Sequence, residues 1–124
     1  MRIFKNKAFS KWAEKESVSD DALRVALNEI ERGLIDADLG GHVLKKRIAV
    51  GEKGKSGGVR TLLAYRMKSK AFFVYGFAKR KQVNIKDDEL KALKLYASML
   101  LGFSEKELNK AVRAGALIEV KGNG

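Results

Sequence analysis

Two neighbouring stretches in the middle of the chain carry the clearest strand patterns: VRTLLAYR at residues 59–66 and AFFVYGFA at residues 71–78. In the first stretch most odd positions are apolar and the even positions carry Arg60 and Arg66, which is the period of a strand with one covered face. The second stretch is apolar on both faces, as in a central strand that is covered on two sides. The short connection between them predicts a hairpin.

The strand pattern continues upstream in VLKKRIAV, residues 43–50. Its even positions are apolar except at Lys46, and its odd positions include Lys45 and Arg47. The connection to the next strand, residues 51–58, contains four glycines and is typical of a loop. Three strands in this order predict an antiparallel meander.

Segments with the apolar spacing of helices lie before and after the meander. Apolar spacing predicts two helices before residue 33 and two more between residues 87 and 115, and short strands are expected at residues 1–5 and 116–120. No proline, long linker or repeat divides the chain, so we expect a single domain over residues 1–124. The predicted fold is α+β: a small antiparallel sheet with the N-terminal helices and the C-terminal helices packed on one of its faces.

The net charge of +11 is concentrated in one part of the chain. Twelve lysines and arginines and a single acid, Glu52, lie between Lys45 and Lys81, whereas basic and acidic residues cancel elsewhere. A confined positive stretch indicates a polyanionic partner, and the alternative is a solvated basic surface that keeps the protein soluble. The chain has no cysteine, which excludes disulfides and thiol catalysis. No segment reads as a signal peptide or membrane helix, so we expect a cytoplasmic protein with no membrane partner.

Two local motifs are compatible with chemistry but also have simpler interpretations. Gly54-Lys55-Ser56 lacks the upstream glycine of a phosphate-binding P-loop, because that position is Ala49. We interpret this segment as a basic loop near a phosphate backbone or as a solvated turn. His42, the one histidine, suits a general base near neutral pH or a connection without chemistry, and alone it makes no metal site.

Strand alternation places four basic residues on one face of the sheet: Lys45, Arg47, Arg60 and Arg66. Three further basic residues, Lys79, Arg80 and Lys81, follow the central strand and can reach the same edge. Guanidinium groups bind phosphate in a bidentate manner and stabilise charge in a transition state, and crowded cations favour a neutral lysine that acts as a base. These residues predict an RNA site, with simple solvation of the sheet as the alternative.

The two central stretches, extended to GGVRTLLAYR (57–66) and AFFVYGFAK (71–79), resemble the RelE toxin family, and most closely its HigB-like branch. Further similar pieces are DLGG at 38–41, KKR at 45–47, NI at 84–85 and EL at 89–90. Together the pieces cover roughly residues 34 to 120. The resemblance implies a compact RelE/ParE-like fold and a partner antitoxin, expected to be of the helix-turn-helix type, that covers the basic surface.

The resemblance also implies an activity. Most toxins of this type are endoribonucleases that cut mRNA in the ribosomal decoding site by attack of a 2′-hydroxyl on the adjacent phosphate, which inhibits translation and needs no metal or small-molecule cofactor. By position, Arg60 matches the family's strand arginine and Lys79 a basic residue that ends the next strand. Lys45, Lys46 and Arg47 match its basic strand cluster, in which Lys45 or Lys46 would act as base.

The expected site therefore has two groups of residues. The catalytic residues are Arg60, Lys45, Lys46 and Lys79, and the RNA-binding residues are Arg47, Lys55, Arg66, Arg80 and Lys81. The chain departs from some family members because it has no tyrosine or histidine after Tyr96, so the group that protonates the leaving oxygen is open. Two alternatives remain: a ParE-like inhibitor of DNA gyrase without nuclease activity, or an inactive basic module that binds nucleic acid.

Overall fold

The computed structural model describes residues 1–51, 58–79, 82 and 84–121. Its helices and strands, in chain order, are β1 (Arg2–Asn6), α1 (Lys7–Lys15), α2 (Asp20–Glu31), β2 (Ala37–Asp38), β3 (Val43–Ile48), β4 (Val59–Arg66), β5 (Lys70–Ala78), α3 (Asp87–Leu101), α4 (Glu105–Arg113) and β6 (Leu117–Val120). The predicted α+β class, the strands of the meander and the helices on both sides of it are confirmed. In the part of the chain that the structure describes, no helix is long and apolar enough to cross a membrane.

The strands form one sheet in the order β2-β3-β4-β5-β1-β6. Neighbouring strands are antiparallel, as predicted for the meander, except that β1 runs parallel to β5 with Arg2 opposite Lys70. A parallel pair needs a long crossover, which the segment from α1 to β4 supplies. The sequence predicted the first strand but not its parallel pairing.

Helices cover both faces of the sheet, so the prediction that all of them pack on one face is wrong. Helices α1 and α2 pack on one face around Phe9 and Leu27 together with the strand residue Leu63. Helices α3 and α4 pack on the other face around Leu100 and the strand residue Leu62. The physical reason is that β4 and β5 present apolar side chains on both sides, and each side needs a cover.

Two local features of β5 shape the surface near its C-terminal end. In the pairing of β4 with β5, Leu63 lies opposite Phe73 and Leu62 lies opposite Tyr75. Val74 is therefore the extra residue of a β-bulge. Gly76 follows, and a Cβ built on it would lie 2.2 Å from the Cζ3 atom of Trp12 in α1. Only a residue without a side chain lets the indole approach the strand this closely.

Candidate functional site

Basic side chains from β3, β4 and the residue after β5 surround a cleft of about 280 Å³ at one end of the sheet. The residues that line it are Lys45 and Arg47 from β3, Arg60 from β4, Lys79 just after β5, and Asp36 before β2. The antiparallel register places Arg47 directly opposite Arg60. Like charges in directly opposite positions destabilise a sheet, so this pair is an arrangement that stability alone does not favour. Such local conflicts are typical of functional sites.

Arg60 is the most buried cation of the cleft, with 7% of its surface exposed. Its Nη1 donates to the carbonyl oxygen of Gly58 at 3.5 Å, the limit of a hydrogen bond. Within the described ranges no carboxylate forms an ion pair with it. Phe77 lies opposite Arg60 on its other side and is itself buried. A buried guanidinium without a carboxylate partner retains most of its capacity to bind an anion.

Arg47 is held in place by Asp36, the carboxylate that lines the cleft. Its Nε donates to Asp36 Oδ1 at 2.7 Å and its backbone N–H donates to Oδ2 at 2.6 Å. Burial raises the pKa of Asp36, but the hydrogen bonds from Arg47 and the charges of Arg47 and Lys46 outweigh it, so the pKa lies below its ordinary value. Asp36 therefore stays ionised at neutral pH and orients the guanidinium beside the cleft.

Lys45 and Lys79 complete the lining from opposite sides. Lys45 is half-buried on β3, and Lys79 is exposed where β5 ends. Neither has an ion-pair partner in the described part of the chain. With Arg47 and Arg60 they give four cations against one carboxylate. This arrangement can bind a phosphodiester, stabilise charge on it and exchange protons through an amine.

The structure separates Lys46 from the residues predicted to act with it. Lys46 points to the opposite face of the sheet, where its ammonium forms an ion pair with Glu29 at 2.9 Å and donates to the carbonyl of Leu34 at 2.7 Å. Only 3% of its surface is exposed. In the alternating pattern of β3, Lys46 is the one charged residue on an apolar face. Its burial beside Glu29 explains this exception. Lys46 therefore does not line the basic cleft.

Arg66 also lies away from the cleft, at the far end of β4 from Arg60. Its Nη1 donates to the carbonyl of Leu101 at 3.1 Å, where it satisfies a free carbonyl at the end of α3. The other predicted RNA-binding residues, Lys55, Arg80 and Lys81, lie outside the described residues.

His42 belongs to a different part of the surface. It adopts a φ of 63° in a turn with Gly40 and Gly41, and it lines a larger groove of about 600 Å³ with Tyr65 and Arg66. It is therefore not a base of the basic cleft. Among the residues that the structure describes, no group of three or more His, Cys, Asp or Glu residues is placed to hold a metal ion.

Asp36 is the site residue that the sequence analysis missed. It lies in a segment without strand alternation, and its partner Arg47 follows 11 residues later. The available signal was an acid shortly before a strongly basic stretch, but Asp38 carries the same signal, and only the pairing of β2 with β3 brings Asp36 and Arg47 together.

Comparison of the sequence with protein families identifies one matching family. A family model described as RelE toxin of RelE / RelB toxin-antitoxin system matches residues 1–120 of the chain. Comparison with curated proteins gives no match.

Proposed function

The chain belongs to the RelE toxin family of RelE/RelB toxin–antitoxin systems, and we propose that it is a metal-independent endoribonuclease that cuts ribosome-bound mRNA and inhibits translation. The observation that carries the proposal is the cleft in which buried Arg60 faces Arg47, with Lys45 and Lys79 beside them. A site that concentrates cations without a matching set of acids suits a phosphodiester.

The reaction that fits these groups is an internal transfer within the RNA. The 2′-oxygen attacks the adjacent phosphorus as the bond to the 5′-oxygen of the next nucleotide breaks, which gives a 2′,3′-cyclic phosphate and a 5′-hydroxyl. Arg60 stabilises the extra negative charge of the transition state. Lys45, as the free amine, accepts the proton of the 2′-hydroxyl, and Lys79, as the ammonium, donates a proton to the leaving oxygen.

Arg47 binds rather than reacts in this scheme. Its contacts with Asp36 leave part of the guanidinium for a phosphate oxygen, and they fix the side chain before RNA arrives. A preorganised cation loses little conformational entropy when it binds. Asp36 is thus a positioning residue for Arg47.

The family implies a cognate antitoxin as partner. We propose that this antitoxin is of the helix-turn-helix type and that it covers the basic cleft, since an acidic segment placed there would both pair with the cations and exclude RNA.

The test is controlled expression in a bacterium that lacks the antitoxin, with growth followed and the 5′ ends of transcripts mapped. Wild type should arrest growth and produce new in-frame 5′ ends. Arg60→Ala should cut about 10²- to 10³-fold more slowly, the loss expected when one donor to a developing negative charge is removed. Arg113→Ala, which removes the same charge from the exposed last turn of α4, is the matched control and should cut normally.

Three other outcomes would contradict the proposal in different ways. Growth arrest with intact transcripts and a DNA-damage response would indicate a gyrase inhibitor. Soluble, folded protein with neither arrest nor cuts would indicate a module that only binds nucleic acid. A fully active Arg60→Ala variant would remove Arg60 from the site.

A further inference from the structure

A second pocket lies on the same face of the sheet as the basic cleft and takes no part in the chemistry above. It has a volume of about 310 Å³ and lies between β5 and the first turns of α3. Its lining residues are Tyr75, Ile85, Glu89, Ala92, Leu93 and Tyr96.

The register of β4 and β5 relates the pocket to the cleft. Tyr75 lies opposite Leu62, and Phe77 lies opposite Arg60. Leu62 and Arg60 are alternate residues of one strand, so Tyr75 and Arg60 share a face of the sheet and are offset by about 7 Å along the strands. The ring of Tyr75 packs 6.1 Å from the ring of buried Phe77, which lies opposite Arg60, so an aromatic pair connects the pocket to the cleft.

The pocket suits a flat aromatic ligand. Both tyrosines are half-buried, and a hydrogen bond holds each hydroxyl: Gln82 Nε2 donates to Tyr75 at 3.4 Å, and Asn6 Nδ2 donates to Tyr96 at 3.4 Å. Fixed aromatic rings with an apolar floor are how proteins bind unstacked bases of single-stranded RNA.

Glu89 adds a polar group to the otherwise apolar pocket. Its side chain is exposed, and within the described ranges no lysine or arginine forms an ion pair with it. A carboxylate near an RNA backbone repels the phosphates, so it favours RNA only if it accepts hydrogen bonds from N–H groups on a base. An amino group on cytosine, adenine or guanine supplies such a donor.

We propose that this pocket binds one unstacked base next to the phosphate held in the cleft, that Tyr75 stacks on that base, and that Glu89 selects a base that carries an amino group. The inference rests on the proposed nuclease function, because it assigns a base-binding subsite to the same RNA.

The first experiment measures stacking without cleavage. A short RNA that contains the fluorescent base 2-aminopurine and 2′-O-methyl groups, which prevent cutting, is titrated with the full chain at low salt. Wild type should quench the fluorescence. Tyr75→Leu, which keeps apolar bulk but has no aromatic ring, should weaken binding roughly 5- to 100-fold, whereas Tyr75→Phe should bind like wild type. Tyr65→Leu is the matched control, because Tyr65 is also a half-buried tyrosine but packs on the opposite face of the sheet.

The second experiment measures selection, by mapping the bases that flank each cut in cells. Wild type should prefer a base with an amino group at one flanking position, and Glu89→Gln should still cut but lose this preference.

The two experiments separate the failure of this inference from the failure of the proposed function. Cuts without quenching or base preference would overturn the base pocket and leave the nuclease intact. Quenching that Tyr75→Leu removes, in a protein that makes no cuts, would support the pocket and reject the nuclease. If Tyr75→Leu weakens capture of the antitoxin but not of RNA, the pocket binds protein and the inference is wrong.

Discussion

Replacement of Lys46 by methionine separates a structural role from a catalytic one. The two side chains have similar length, but methionine has no charge and donates no hydrogen bond. In the wild type the ammonium contacts Glu29 at 2.9 Å and the Leu34 carbonyl at 2.7 Å, and the side chains of the ion pair are 4% and 17% exposed. Lys46→Met therefore removes the ammonium that contacts a largely buried carboxylate and a carbonyl.

The expected loss of stability follows from this burial. Removal of one partner of a buried ion pair costs about 3–5 kcal/mol. The residual exposure of Glu29 lets water reach the carboxylate, so the lower end, about 3 kcal/mol, is the appropriate value. In a domain of this size such a loss lowers the melting temperature by roughly 10 °C. The double variant Lys46→Met/Glu29→Leu should recover most of the loss, because an apolar pair of similar volume replaces a buried ion pair at little cost.

The assay is urea unfolding followed by the fluorescence of Trp12, the one tryptophan of the chain, together with transcript cleavage at a temperature where each variant is folded. We expect Lys46→Met to be destabilised and, while folded, to cut like wild type. Wild-type stability combined with lost cleavage would refute the structural interpretation and return Lys46 to the chemistry.

Two further predictions test packing and electrostatics. Gly76→Ala places a methyl group 2.2 Å from the indole of Trp12 and should destabilise the fold by about 2–3 kcal/mol. The double variant Gly76→Ala/Trp12→Leu should recover stability, because the smaller side chain makes room for the methyl group. An unchanged unfolding midpoint in Gly76→Ala would contradict the close approach. Because the folded-state pKa of Asp36 lies below its ordinary value of 3.8, its ion pair with Arg47 stabilises the fold above about pH 4 and this contribution disappears as the pH falls through the folded pKa. Asp36→Asn should therefore unfold at lower urea than wild type at pH 7 and at equal urea in strong acid; a difference that does not change with pH would be inconsistent with the pairing.

Local patterns predicted most of the elements of this fold because each depends on a few neighbouring residues. Alternation identified β3 and β4, and the doubly apolar run identified β5 as central. The parallel pairing of β1 with β5 and the division of the helices between two faces were not predictable in this way. Both depend on contacts between distant segments, such as the stacked rings of Phe4 and Phe72, 5.1 Å apart.

The same limit explains which of the predicted site residues the structure brings together. Alternation placed Lys45, Arg47 and Arg60 on one face, and the structure brings them together in the cleft. Alternation also placed Arg66 on that face. Arg66 nevertheless lies six residues along β4 from Arg60, which corresponds to roughly 20 Å, so the two side chains are not in the same site. Lys46 was predicted from its match to the basic strand cluster of the family, and the strand pattern does not describe its partner Glu29, which lies on a helix.

Strand β1 pairs only with strands that follow it much later in the chain. Phe4 is completely buried between strands that are synthesised later, and its parallel partner is Phe72, 68 residues further along the chain. At 5–20 residues per second this delay is roughly 3–14 s. Until β5 and β6 have been made, the apolar side chains of β1 lack their cover, and this interval is when aggregation and proteolysis compete most strongly with folding.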